Sequence, residues 1–229
     1  MIKAIIFDLD HTLFDRYKTF EQIVDNHFHE TMFKPDTAPE VAKKEWEFAD
    51  KNFIHFSLGK VFEHLKEKGI LKDEVTKENI YRDYIAPLFM KVAVPFDFTI
   101  PTLKELRRSY KIGLITNGKH KIQAKKIELI GIEDLFDEIM ISDDYGTEKP
   151  DVKLYEIMSK KLNISPSEML YVGDNPLNDI DASRKAGYIP VWVKTTGTWI
   201  YPDIEKPEFQ IETVAELPEL LKKANGLCC

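Results

Sequence analysis

The spacing of apolar positions changes twice along the chain. Ala4-Ile5-Ile6-Phe7 is an unbroken apolar run, which predicts a short strand buried on both faces, as in a parallel sheet. Over residues 17–33 the side chains Phe20, Ile23, Val24, His27, Phe28 and Met32 fall at helical spacing. A second helix is predicted over 40–56. A third is opened by Ser57, carries Leu58, Val61, Phe62 and Leu65 on one face, and closes at Gly69. A fourth runs over about 77–90, and no strand is predicted between 15 and 92. After a linker at 92–97, helix and strand alternate. Helices are expected at 99–110, 123–130, 152–162 (with Asp151 as N-cap), 180–186 and 214–224. Strands are expected at 112–116, 138–142, 169–173 and 189–193.

Alternating β and α elements predict an α/β fold with a doubly wound, parallel, Rossmann-like sheet. The first strand belongs to that sheet, so the all-helical block is an insertion after it. The expected domains are a core of residues 1–14 and 97–229 and a helical cap of residues 15–96, standing over the strand ends. No internal repeat or low-complexity segment is present.

Composition narrows the function classes. With 43% hydrophobic and 31% charged residues, the chain can build a full core and a soluble surface. The net charge of −7 and the lack of a basic patch argue against nucleic acid as a partner. Lys43-Lys44, Lys125-Lys126 and Lys160-Lys161 read as solvated helix faces. The only cysteines, Cys228 and Cys229, are adjacent, which excludes a disulfide framework within the monomer and suits a reducing, cytoplasmic setting; they read as a frayed tail. No stretch is long and apolar enough for a membrane span, and the chain starts directly in a core strand, so no signal peptide is expected. A monomer or homodimer is expected.

The chemistry lies at the predicted strand ends, where ligands bind in open parallel sheets. The first strand runs into Asp8 and Asp10, two carboxylates that raise one another's pKa unless a cation lies between them. The second ends in Thr116-Asn117-Gly118. The loop after the third carries Glu148-Lys149-Pro150. The fourth ends in Gly173-Asp174-Asn175-Pro176, with Asp179 five residues after Asp174. Each motif alone is a common turn or loop. One per successive strand end is not. The carboxylates suit Mg²⁺. Thr116 and the backbone N–H groups of Asn117 and Gly118 offer donors to an anion. Lys149, expected to be a loop residue burying little surface, offers a fixed positive charge. This set suits phosphoryl transfer, in which catalysis is mostly positioning and charge stabilisation.

These four segments resemble the four motifs of the haloacid dehalogenase-like superfamily, in the right order, and the insertion resembles its helical C1 cap. His11 stands where glycine is most common. The resemblance implies that Asp8 is the nucleophile, forming an aspartyl-phosphate, and that Asp10 is the general acid and then the base. It implies Mg²⁺ held by the Asp8 carboxylate, the Asp10 backbone carbonyl and Asp174. It further implies Thr116 and Lys149 on the phosphoryl oxygens, with Asp179 supporting Lys149 or a metal-bound water.

The expected function is Mg²⁺-dependent hydrolysis of a small phosphomonoester of the sugar, triose or glycolate phosphate class; the overall pattern is similar to archaeal members linked to glyceraldehyde 3-phosphate. The alternatives are a 2-haloacid dehalogenase, a phosphomutase and a non-catalytic binding module. Dehalogenation needs no acid for its leaving halide, and dehalogenases of the superfamily lack the second aspartate, so Asp10 argues against it. A binding module would be expected to have lost a motif residue. In the cap, Arg16, Tyr17 and the 51–56 stretch are candidates for reading the leaving group, although Phe53 and His55 suit core packing better.

Overall fold

The N-terminal apolar run forms β1, Ala4–Phe7, buried at all four positions. The computed structural model describes residues 1–197 and 199–226, so Cys228 and Cys229 lie outside the described residues. The chain divides into two compact units, Met1–Asp15 with Pro95–Cys229, and Arg16–Val94.

The Arg16–Val94 unit is helical. Its first helix, α1 (Arg16–Asp25), is shorter than the 17–33 periodicity predicts. The chain turns at His27, whose φ of 58° is left-handed, and resumes as a 3₁₀ turn at Phe28–Thr31. Next come α2 (Pro39–Phe53) and α3 (Leu58–Glu67), the latter capped as expected by Ser57, whose Oγ accepts the Lys60 N–H at 3.3 Å. The predicted fourth helix begins as a π-helical turn at Ile80–Ile85 and passes into α4 (Ala86–Phe89). Phe33 and Leu71 form an isolated antiparallel bridge in a block read as purely helical. Buried aromatics fill the unit. Trp46 stacks on Phe20 with centroids 4.3 Å apart, and Phe33 and Phe89 meet these rings edge-on.

The other unit continues with α5 (Thr99–Leu106), β2 (Lys111–Thr116), α6 (His120–Ile130), β3 (Glu138–Ile141), α7 (Lys153–Leu162) and β4 (Met169–Gly173). The N-cap of α7 is Val152 rather than Asp151, whose Oδ1 instead accepts the Lys153 N–H. A π-helical turn at Pro176–Asp181 leads into α8 (Ala182–Lys185), then β5 (Ile189–Val193), β6 (Phe209–Ile211) and α9 (Leu217–Gly226). β6 was not expected, because three residues leave no period to read. All pairings are parallel, in the order β3-β2-β1-β4-β5-β6.

That order places the functional edge. The chain builds outward from β1 through β2 to β3, then returns to the other side of β1 as β4. The switch point is therefore at β1, the position where open α/β sheets bind ligands. The sheet interior is tightly packed there: a Cβ on Gly113 of β2 would lie 2.7 Å from Ile6 Cδ1. After β1 the chain turns at once, with Leu9 O accepting the N–H groups of Leu13 and Phe14. Phe14 then forms an antiparallel bridge with Pro95, and the Thr99 hydroxyl donates to Leu13 O at 2.9 Å. The two chain segments flanking the helical unit are thus joined within the core.

Candidate active site

β1 delivers Asp8, buried at 7% exposure, its backbone N–H donating to Val172 O of β4. Three residues on, His11 has φ 61°. A left-handed backbone explains why glycine suits this position, and a side chain there costs on the order of 1 kcal/mol. β4 delivers Asp174, buried, with its backbone carbonyl held by Trp192 Nε1 at 3.0 Å. The π-helical turn delivers Asp179, whose Oδ2 accepts the Asn175 N–H at 2.9 Å. Asn175 opens that turn by accepting the N–H groups of Leu177 and Asn178 on its own Oδ1. A carboxylate oxygen from each of Asp8, Asp174 and Asp179 lies within 4.8 Å of the others, and all three residues are buried.

Lys149 sits against this cluster. Its Nζ is 2.6 Å from Asp8 Oδ1, 2.7 Å from Asp179 Oδ1, 2.9 Å from the Tyr171 hydroxyl and 3.2 Å from Ile115 O. The expectation of a loop lysine burying little surface is overturned, since the side chain is 3% exposed. Its loop is held by Asn117. The Asn117 amide donates to Lys149 O and its Oδ1 accepts the Lys149 N–H, both at 2.8 Å.

Three buried carboxylates and one ammonium leave excess negative charge in a buried site. Burial pushes the Asp8 carboxyl well above the usual carboxylate range; Lys149 opposes this, while Asp179 and Asp174 add to it. Burial also raises Asp179, against Lys149. Burial alone would lower Lys149, but Asp179 and Asp8 outweigh it and hold the ammonium protonated. A divalent cation bound by oxygen ligands is the natural complement. The donor set therefore fits Mg²⁺.

The other motif residues divide differently from the sequence reading. The carboxylate of Asp10, expected to serve as acid and base rather than as a metal ligand, lies outside this cluster. Lys126 Nζ lies 2.7 Å from both of its oxygens, and Gln123 Nε2 donates to Oδ2 at 3.1 Å. Thr116 is buried at the end of β2 and accepts from Gln123 at 2.5 Å. The Gly118 N–H does not stand open to an anion; it donates to Ser142 Oγ at 3.0 Å. Lys126, read as part of a solvated lysine pair, is 3% exposed. In the helical unit, Arg16 is not open to a ligand as expected. Its guanidinium is buried on Asp50, with Nε at 3.2 Å and Nη2 at 2.7 Å from the two carboxylate oxygens. Phe53 is half-buried, its ring against His64 and the exposed Phe48, so it is not part of the core that its reading placed it in.

Gln123, Lys126, Ser142, Tyr171 and Trp192 were missed as site residues. The one available signal was the spacing Thr116, Gln123, Lys126, which places both α6 side chains on the helical face following the β2 strand end.

A family model described as haloacid dehalogenase-like hydrolase matches residues 5–193. The chain is 28% identical to a glyceraldehyde 3-phosphate phosphatase of Methanopyrus kandleri, covering 97% of this chain and 98% of that one. It is 31% identical to the protein of the same name from Pyrococcus furiosus, covering 98% and 95%. The fold superposes on the crystal structure of YfnB, a HAD-hydrolase of Bacillus subtilis bound to magnesium. The TM-score is 0.73 at 23% identity, covering 96% of this chain and 98% of that one. Among the described residues no helix is long and apolar enough to cross a membrane.

Proposed function

Because the chain belongs to the haloacid dehalogenase-like hydrolases, we propose that it is a Mg²⁺-dependent phosphatase of small sugar or triose phosphates, acting through an aspartyl-phosphate on Asp8. The observation that carries the reading is Lys149 Nζ seated between Asp8 and Asp179, with Asp174 beside them. A carboxylate nucleophile, a fixed cation and further oxygen ligands meet at one point, as phosphoryl transfer requires.

Asp8, Asp174 and the Asp10 backbone carbonyl would hold the metal, and Asp179 would keep Lys149 in place beside them. When bound, Mg²⁺ would neutralise the carboxylates and the phosphoryl charge. Asp8 attacks phosphorus through a carboxylate oxygen, and the bond from phosphorus to the ester oxygen breaks. Asp10 gives its proton to that departing oxygen. Asp10 then takes a proton from the incoming water, whose oxygen bonds to phosphorus as the acyl-phosphate bond between phosphorus and the Asp8 oxygen breaks. Phosphate leaves and both carboxyl groups are restored. Lys149 balances the phosphoryl charge, and the Thr116 hydroxyl and Asn117 N–H orient the phosphoryl oxygens. Two easier steps replace one hard displacement.

Asp10 also separates this reading from halide displacement, which needs no proton donor. The triose or sugar class is supported by the glyceraldehyde 3-phosphate phosphatases that match along nearly their whole lengths. The test is hydrolysis of a panel of triose, sugar, glycolate and nucleotide phosphates with Mg²⁺ and with excess chelator. Metal-dependent turnover, highest on a triose or sugar phosphate, is expected. Full turnover in chelator would remove the metal from the reading, and turnover of haloacids alone would replace it.

A further inference from the structure

Helix α6 carries two side chains that the reaction above leaves without a role. Gln123 and Lys126 are three positions apart, hence on one helical face, and both are buried, at 2% and 3% exposure. Lysine is almost never buried without a specific partner. Here Nζ reaches both oxygens of Asp10 at 2.7 Å and lies 4.8 Å from the centre of the Phe14 ring. Gln123 places its amide nitrogen 3.1 Å from Asp10 Oδ2 and 2.5 Å from Thr116 Oγ1, one N–H for each acceptor. The Asp10 side chain keeps 27% exposure. The carboxylate is therefore gripped from the α6 side while still reachable.

We propose that Lys126 and Gln123 are positioning residues for Asp10, fixing its carboxylate in one placement and tying that placement to the Thr116 hydroxyl. The inference rests on the acid–base role given to Asp10 above. That role demands the same group twice, once against the leaving oxygen and once against water. A displacement of 1 Å in such a group can cost about 10²-fold in rate. A partly exposed aspartate without anchors would spread over several rotamers. Two anchors on one rigid helix remove that freedom. Because Gln123 donates to Thr116 Oγ1, the threonine keeps its own proton to donate to a phosphoryl oxygen. The same amide thus places both the phosphate-binding hydroxyl and the acid.

The test compares wild type, Lys126→Met and Gln123→Met on an alkyl phosphate, a poor leaving group, and an aryl phosphate, a good one, each also in an Asp10→Asn background. Lys126→Met keeps the buried stem and removes the charge. If Lys126 works through Asp10, kcat/KM, which reports phosphorylation of Asp8, falls at least about tenfold more on the alkyl than on the aryl ester, in line with the range for proton transfer by a positioned acid. The substitution adds nothing once Asp10 is asparagine, as coupled residues require. Gln123→Met should behave alike and carries the test if Lys126→Met does not fold. A crystal structure of Lys126→Met should show Asp10 displaced while Asp8, Asp174 and Asp179 keep their places. Equal losses of kcat/KM on both esters, or losses that persist in the Asp10→Asn background, would make Lys126 merely structural and overturn the proposal. So would wild-type kcat in both variants. A wild-type protein that hydrolyses neither ester with Mg²⁺ would overturn the phosphatase reading itself, and the proposal with it.

Discussion

Gly173 and Asp179 occupy the same space. A Cβ built on Gly173 would lie 2.5 Å from both Cγ and Oδ2 of the Asp179 carboxylate, nearer than any real side-chain contact. The glycine ending β4 is therefore the seat of a carboxylate that holds Lys149. Gly173→Ala must push Asp179 away from Lys149 and from the Asn175 N–H. Overpacking of this kind costs roughly 1–3 kcal/mol, and the misplaced site should lose on the order of 10²-fold in kcat. Steady-state kinetics and thermal melts check both. Wild-type kcat in the variant would show that the close approach is incidental.

Lys149→Met should damage both stability and activity. Methionine keeps the stem but leaves Asp8 and Asp179 buried against each other without the ammonium. Breaking a buried ion pair from one side costs about 3–5 kcal/mol, or roughly 6–20 °C in Tm for a chain of this size. The drop should be smaller with saturating Mg²⁺, which supplies positive charge to the same carboxylates. Melts with and without the metal measure this. An unchanged Tm in chelator would mean that the buried network does not support the fold.

Asp10→Asn keeps the shape and the backbone carbonyl but removes the proton donor and base. Loss of a positioned acid–base group lowers turnover by roughly 10²–10⁴-fold. An aryl phosphate needs little help in leaving, so Asp8 should still be phosphorylated while water attack stalls. Mass spectrometry after rapid acid quench should find the phosphate on the peptide containing Asp8. Wild-type turnover without any adduct would overturn the role given to Asp10.

His29 should make stability depend on pH. It is buried in the helical unit, and burial lowers its pKa from the ordinary value despite the neighbouring Glu30. The folded state then binds fewer protons than the unfolded chain just below the unfolded pKa of about 6.5. Stability is complete above that pH and is lost as the pH falls towards the folded value. His29→Leu removes this term, so its Tm should fall less between pH 7 and pH 5 than that of the wild type. Parallel Tm slopes would refute the assignment.

The sheet was legible in the sequence because its inner strands are continuous apolar runs buried on both faces, and each ends in a chemically distinctive turn. Helix ends were less legible where tertiary packing overrode the period. His27 breaks the 17–33 pattern by turning left-handed, and the π-helical turns at Ile80–Ile85 and Pro176–Asp181 keep a helical period while widening the coil. The motif residues were visible, but their environment was not. Lys149 and Lys126 look like surface lysines in one dimension, since nothing local to either encodes the carboxylate it meets from elsewhere in the chain. Arg16 misled for the same reason, because its partner Asp50 lies 34 residues away.

The bridge between Phe14 and Pro95 has a consequence for how such a chain can change. The helical segment leaves and rejoins the core at neighbouring points, so its length barely enters the thermodynamics of the sheet. Doubling a flexible detour with pinned ends adds only about 0.6 kcal/mol of closure entropy. The bonds described among Asp8, Asp10, Thr116, Gln123, Lys126, Lys149 and Asp179 all lie outside that detour. The insertion is thus tied into the core through one bridged pair of chain segments, and the wiring of the carboxylates and lysines runs entirely outside it.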